Sequence, residues 1–286
     1  MLWTGGPSAA LGTNNIGATY SDFGIGTTIT SSGSFNAKGS TVNMLSGLAR
    51  TQYGLWIWMS GGNTTTAFRK HMVDVMIDPN AGVGNAGSTW SVFIANLAAN
   101  SPAFSTGGVG FAYYFPIILP QGAALGARSQ NSFNNFPCQI ILGTPTLSSR
   151  VDVRKFGTQV QTLGATTSTT SGVAVTPGTS AKGSWSATLG TLTRDAFWFQ
   201  LGILSDDSSM TENGYLFDLA AGPSQEKICI YDMMYGVVGS AEQAYKSFGQ
   251  HPLQRVIASG SNLYARGAAC GGAPSSAMSI VAYAVS

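Results

Sequence analysis

Charged side chains are scarce here, 14 basic and 12 acidic among 286 residues, so charges that recur at fixed spacing stand out. Asp74 and Arg128 form such a pair, and Asp218 and Arg266 repeat it. Each interrupts an apolar run: Asp74 sits between Val73 and Val75, and Arg128 follows Ala127. A guanidinium beside a carboxylate can make a strong charge-assisted bond, and the other use of such a pair is to hold a charged ligand. Because the pair recurs while the loops around it differ, the structural use is favoured: an Arg–carboxylate bond in each copy that fixes register between sheets. Arg50 and Arg194 recur as well and carry the same two readings.

Other chemistry finds little material. The two histidines, His71 and His251, do not correspond between copies, and a hydrolytic triad needs a histidine beside a nucleophile and a carboxylate. Neither a Gly-x-Ser-x-Gly elbow nor a phosphate-binding loop occurs, and no dinucleotide fingerprint, a glycine pattern between a strand and a helix, is read. Metal sites want clustered His, Cys or carboxylates. The one acidic loop, Asp206-Asp207-Ser208-Ser209-Met210-Thr211-Glu212-Asn213-Gly214, has a counterpart around Asn63 with no carboxylate, so a solvated turn is the simpler account than calcium. Asn63-Thr64-Thr65 has the form of a glycosylation sequon, which means little without a secretion signal. The expectation is a non-enzyme with no catalytic, cofactor-binding or metal residues.

The elements that position these charges are themselves repeated. Ala37-Lys38-Gly39-Ser40 returns as Ala181-Lys182-Gly183-Ser184, with Leu45, Leu48 and Arg50 returning as Leu189, Leu192 and Arg194. Further on, Gly122-x-x-Leu125-x-Ala127-Arg128 matches Gly260-x-x-Leu263-x-Ala265-Arg266. The copies are too long for solenoid units and suit two whole domains, 1–147 and 148–286. A short, fairly stiff linker, Thr144 to Arg150, joins them.

Almost nothing reads as helix. Short runs of Val, Ile, Thr and aromatics alternate with Gly/Ser/Asn/Pro clusters, the pattern of strands and turns. Strands are expected near 26–31, 40–47, 53–60, 72–78, 89–95, 112–119, 124–130 and 138–143. In the second copy they fall near 171–176, 184–191, 196–204, 215–220, 226–236, 253–258, 262–268 and 277–285. The fold class is therefore all-β: two tandem eight-stranded antiparallel β-sandwich domains, jelly-roll-like, related by internal duplication. Gly122 and Gly260 sit where hairpin turns need positive φ.

Trp56 and Trp198 match within strands apolar on both faces, which reads as a strand covered on both sides. The unmatched aromatics Trp3, Tyr20, Phe23, Tyr113 and Tyr114 are the candidates for contact with partners or sugars. Segments 1–25 and 157–182 are Gly/Ser/Thr-rich and weakly periodic; they point to assembly contacts, or else pack back onto their own sandwich.

The net charge is +2, with 5 basic against 3 acidic residues in 1–147 and 9 against 9 in 148–286, so neither half is a basic module for nucleic acid or an anionic membrane. The start of the chain lacks the charged and apolar regions of a signal peptide. The longest mostly apolar run, Phe111 to Pro120, is about half a bilayer span. Cys138, Cys229 and Cys270 are odd in number and unmatched, so they are expected to be isolated thiols rather than a disulfide framework.

The segment Phe115-Pro116-Ile117-Ile118-Leu119-Pro120-Gln121-Gly122-Ala123-Ala124-Leu125-Gly126-Ala127-Arg128-Ser129-Gln130 resembles a Pro-x-Gly…Ala-Arg-x-Gln stretch of tailed-bacteriophage virion and tail-associated proteins. The second copy departs from it, with Ala258-Ser259-Gly260 and Gly267-Ala268 in the corresponding places. The resemblance implies a virion structural protein: a capsid decoration, cement, fibre-base or baseplate-associated component, assembled in the host cytoplasm. Its partners would be other virion proteins and itself, as a homo-oligomer, with the second domain more exposed. The competing expectation is a lectin-like module that binds a host surface glycan or receptor through exposed aromatics. A hydrolase acting on host polysaccharide stands third, since it would need two convergent carboxylates.

Overall fold

Alternation of apolar and polar side chains, rather than helical spacing, sets the local structure. The computed structural model describes residues 19–20, 26–61, 69–101, 110–131, 135–144, 155–164, 172–179, 181–204, 213–225, 227–238, 243–246, 256–270 and 278–286. Among these the chain is all-β, without an α-helix. The first half carries β1 (Thr19–Tyr20), β2 (Thr27–Thr30), β3 (Val42–Leu45), β4 (Gln52–Gly61), β5 (Arg69–Asp78), β6 (Ser91–Ser101), β7 (Gly110–Leu119), β8 (Ala124–Asn131) and β9 (Pro137–Thr144). The second carries β10 (Val160–Leu163), β11 (Val173–Val175), β12 (Gly178–Thr179), β13 (Gly190–Thr191), β14 (Trp198–Leu204), β15 (Asn213–Ala221), β16 (Lys227–Val238), β17 (Gln243–Lys246), β18 (Asn262–Ala269) and β19 (Met278–Val285).

Four sheets result, antiparallel except where β12 runs parallel to β18. In the first half, β2-β9-β4-β7 faces β3-β8-β5-β6 in a β-sandwich, with β1 also on β9. In the second, β14, β10 and β11 gather on β19, and this sheet faces one built as β18-β15-β16-β17, with β12 and β13 on β18. Leu55, Ile57 and Met59 of β4 and Phe199, Leu201 and Ile203 of β14 point into the two sandwiches and are buried. The buried apolar side chains form one contiguous cluster through both halves.

Corresponding registers can be read directly. Asp74 lies opposite Arg128 and Asp218 opposite Arg266; Gln52 lies opposite Leu119, and Ala196 bridges Ile257. Gly122 and Gly260 have φ of 83° and 82°, as the turns require. Each turn is clamped by the repeated leucine: Gly122 N–H donates to Leu48 O at 2.8 Å, and Gly260 N–H to Leu192 O at 2.8 Å.

Three expectations change. The strand expected over 184–191 is reduced to β13 at its end. Gly183, Ser186 and Leu189 donate to Gly267, Ala265 and Leu263 of β18 at 2.8 Å each, so three residues span what two span on the partner and the ladder cannot close between contacts. β10 and β17 arise where no strand is expected, since four-residue segments show too little alternation. Of the segment 157–182, β10 and β11 pair with β19 and so pack onto their own sheet. Half of the expected strand 253–258 lies outside the described residues, as do most of the linker and all of residues 1–18.

Candidate functional site

The repeated Ala-Lys-Gly-Ser motif delivers a lysine to each Asp–Arg pair. A Cβ on Gly39 would collide with the carbonyl oxygen of Thr30, and one on Gly183 with that of Thr176, so glycine lets the motif lie against the neighbouring main chain. In the first half Lys38 Nζ donates to Met72 O (2.9 Å), Asp74 Oδ1 (2.8 Å) and Asn96 Oδ1 (2.9 Å). Arg128 Nε donates to Asp74 Oδ2 at 2.9 Å, and Asn96 N–H to Asp74 Oδ1 at 2.9 Å. In the second, Lys182 Nζ meets Leu216 O (3.1 Å), Asp218 Oδ1 (2.8 Å) and Asp232 Oδ1 (2.7 Å). Arg266 Nε donates to Asp218 Oδ2 at 2.9 Å, and Asp232 N–H to Asp218 Oδ1 at 3.0 Å.

Asn96 and Asp232 have φ of 54° and 51°, and each lies where the strand register shifts. Asn and Asp enter the left-handed region more readily than other non-glycine residues. Each cluster thus pins a bulge, on β6 or on β16, to the next two strands of the same sheet. The expected Asp–Arg bonds are present, but they join neighbouring strands of one sheet and not two sheets, because Asp74 and Asp218 sit directly opposite their arginines in the ladder. In both clusters the lysine's three donors and both oxygens of Asp74 or Asp218 are engaged in bonds that hold the strands together. Burial pushes the Lys38 amine down to about 8, against the pull of Asp74, which favours its charged form.

The clusters differ in charge. The first holds two cations and one carboxylate; the second adds Asp232 and is neutral. Among the described residues only the second is dressed with aromatics: Arg266 lies 4.4 Å from the Trp185 ring centroid and Lys182 5.8 Å from that of Tyr231. The lysines were legible as matched residues without a stated role. Asn96 and Asp232 were missed, because their types differ and nothing in the flanking sequence marks a bulge.

Other candidates scatter. Arg50 and Arg194 are exposed and lie outside the clusters. His71 is buried on β5, 3.1 Å from the Asn131 amide, and burial holds its imidazole neutral down to about 3. Cys138 and Cys229 are buried free thiols pushed up to about 12 by burial, and Cys270 is free and exposed. Among the described residues no group of three or more His, Cys, Asp or Glu could hold a metal, and no helix is long and apolar enough to cross a membrane. Trp3, Phe23, His251, the Asn63 sequon and most of the acidic loop lie outside the described residues. So does the side chain of Tyr20.

Tyr113 and Tyr114 are corrected as candidates for contacting partners or sugars. Tyr113 is 1% exposed and its hydroxyl donates to Ala98 O at 2.6 Å. Tyr114 packs on Trp56 at 4.7 Å and against the edge of Trp198 at 6.0 Å. Both belong to the seam where the halves meet. There the outward face of the β14–β19 sheet closes the free edges of β6 and β7. Thr162 Oγ1 donates to Ala95 O (2.7 Å), Tyr283 hydroxyl to Asn96 O (2.8 Å), and Ala98 N–H to that same hydroxyl (2.8 Å). On β7, Gln200 Nε2 donates to Tyr114 O, Gly157 N–H to Pro116 O (2.9 Å), and Ile118 N–H to Gly157 O (2.8 Å). β14 is thus covered on both faces, as expected, whereas Trp56 and Trp58 of β4 stay half-buried.

No protein-family model matches the chain, and no curated protein sequence does. Among solved structures it is similar to PNGF-II, with a TM-score of 0.39 and 11% identity over 94% of this chain and 65% of that one. It is also similar to a peptide-N(4)-(N-acetyl-β-D-glucosaminyl) asparagine amidase, with a TM-score of 0.35 and 10% identity over 94% of this chain and 96% of the other. The chain spans about 65% of the length of PNGF-II.

Proposed function

We propose that this chain is a non-catalytic structural subunit of a bacteriophage particle, built from two tandem jelly-roll domains, 1–147 and 148–286, that arose by duplication. The order β2-β9-β4-β7 over β3-β8-β5-β6 is the order obtained when a strand ribbon wraps into a jelly roll. The second half follows it through β19-β14, with Ile257 beside Ala196, over β18-β15-β16. The observation that carries the functional reading is what the halves share. The lysine–aspartate–arginine clusters, the clamped glycine turns and the core are framework, and the lysine and aspartate shared by the clusters bond within it. A surface of low charge density suits dense packing against neighbours, because little charge must be desolvated.

The test is mass spectrometry of density-purified particles from cells producing this chain. The chain should be present as a stoichiometric component; its absence from particles would overturn the proposal. A second reading, a glycan- or receptor-binding module, draws on the exposed Tyr231 beside Lys182 and Asp232, an aromatic flanked by polar groups. Glycan-array binding lost on Tyr231→Ala would establish it.

A further inference from the structure

The two charge clusters are built alike, yet the second carries ring side chains that the cluster does not require. Thr41 follows Ala-Lys-Gly-Ser in the first half, where Trp185 follows it in the second. The bulge residues Asn96 and Asp232 align β6 with β16, which places Ala95 where Tyr231 stands. With threonine and alanine at these two positions the first cluster keeps the same bonds, lysine to aspartate at 2.8 Å and arginine to aspartate at 2.9 Å in both halves. Tyr231 is 62% exposed, so the fold gains little by burying it. The rings therefore serve something other than the ladder beneath them.

The surface between the rings has a definite chemistry. Tyr215, Phe217 and Leu219 turn inward and are buried, so Asp218 and the groups bonded to it lie on the outward face of β18, β15 and β16. Trp185 lies against Arg266 of β18, and Tyr231 stands on β16 beside Lys182. β15 runs between them, so the two anchor positions are two strand spacings, about 10 Å, apart. Among the described residues nothing bonds the second carboxylate oxygen of Asp232, whose side chain is 38% exposed. The same holds for the terminal nitrogens of Arg266, which spends Nε on Asp218 and is 28% exposed. An acceptor and a donor thus lie between two rings. Two cations face two carboxylates, so the surface is neutral and complements an uncharged ligand.

We infer that Trp185 and Tyr231 are two platforms for a linear, neutral oligosaccharide lying across β18, β15 and β16. The apolar face of a pyranose packs on each ring, and hydroxyls between them donate to Asp232 and accept from Arg266. The spacing of the platforms exceeds one sugar, so a monosaccharide reaches one ring and a longer chain reaches both. An acidic sugar would set its carboxylate against Asp232. This rests on the glycan reading of Tyr231 above and adds the second platform, the length and the charge of the ligand.

An array of neutral and acidic glycans, followed by calorimetry of the best-bound neutral series from one to six units, tests this on the full chain. Affinity should rise with length until both rings are covered. Tyr231→Ala and Trp185→Thr each install the residue that the first half carries, so both variants should melt close to the parent. Each should weaken the longest oligomer about tenfold, the loss of one ring contact, and flatten the rise with length. Tyr231→Phe keeps the ring and should keep the affinity. A monosaccharide that binds as tightly as the longest oligomer, or an unchanged affinity in Trp185→Thr, overturns the two-platform inference and leaves the glycan reading of Tyr231 standing. A preference for acidic glycans overturns the inference as well. Binding to no glycan at all overturns both the inference and the glycan reading, and the particle measurement then decides the assembly reading by itself.

Discussion

The two halves share a framework and differ in what lies on β6 and β16. On β6, Ala95 and Ala98 have their main chain bonded by Thr162 and Tyr283; on β16 the matching Tyr231 and Met234 are exposed, while Val92 and its match Ile228 are exposed in both. Beneath these edges the clusters agree to within a few tenths of an ångström in every lysine–aspartate and arginine–aspartate distance. Inside the sheet, His71 opposite Asn131 corresponds to Tyr215 opposite Ala269. The comparison separates residues that set the ladder, held alike in both halves, from residues that answer to whatever lies on top, which have diverged.

The largest predicted break is in the clusters. Asp74→Asn leaves Lys38 and Arg128 with no carboxylate, so it should cost about 3–5 kcal/mol, the range for an orphaned buried charge. Asp218→Asn leaves Asp232 beside Lys182 and should cost roughly 2 kcal/mol. Urea titrations of both variants measure the difference, and equal losses would show that Asp232 does not compensate.

Acid sensitivity should belong to the first half. The His71 imidazole titrates near 6.5 when unfolded and is held neutral to about 3 in the fold by burial. Between those values the unfolded chain takes up a proton that the folded chain refuses, so stability falls as pH drops from 6.5 toward 3. His71→Gln keeps a hydrogen-bonding group for Asn131 and should flatten that slope in melting temperature against pH.

Exchanging the bulge residues sharpens the charge difference. Asn96→Asp gives the first cluster its missing carboxylate and should stabilise by about 1 kcal/mol, while Asp232→Asn should lose a similar amount. Thermal melts of the two single variants and the double exchange should show opposite shifts that nearly cancel. The smallest effect is expected at the turns. Gly122→Ala and Gly260→Ala each place a Cβ at a φ near +80° without a clash, and each should cost about 1 kcal/mol. A clear inequality between them would mean that the clamped turns are not equivalent.

Much of the framework was legible because it rests on local pattern. Alternation marked the strands of the first half, and the repeat marked Asp74, Arg128, Gly122 and Leu48 with their partners. What stayed hidden depends on where the halves meet. Tyr113 and Tyr114 read as candidates for outside contact because nothing in sequence tells a seam from a surface. Residues 184–191 read as a strand because their three-to-two pairing with β18 is a property of the partner. Asn96 and Asp232 were invisible as a pair, since a bulge admits either residue by backbone conformation and not by side-chain type.

The seam also has a consequence for how the chain is made. Synthesis produces β6 and β7 well before Gln200, and Gln200 well before Tyr283. The N-terminal sandwich therefore emerges with two bare hydrogen-bonding borders, and the hydroxyl that seals Asn96 and Ala98 is translated 185 residues after Ala98. During that interval the nascent chain is a template for strand addition. Truncation ahead of β19 would make that interval permanent, and such a fragment should aggregate even though its own sandwich is complete.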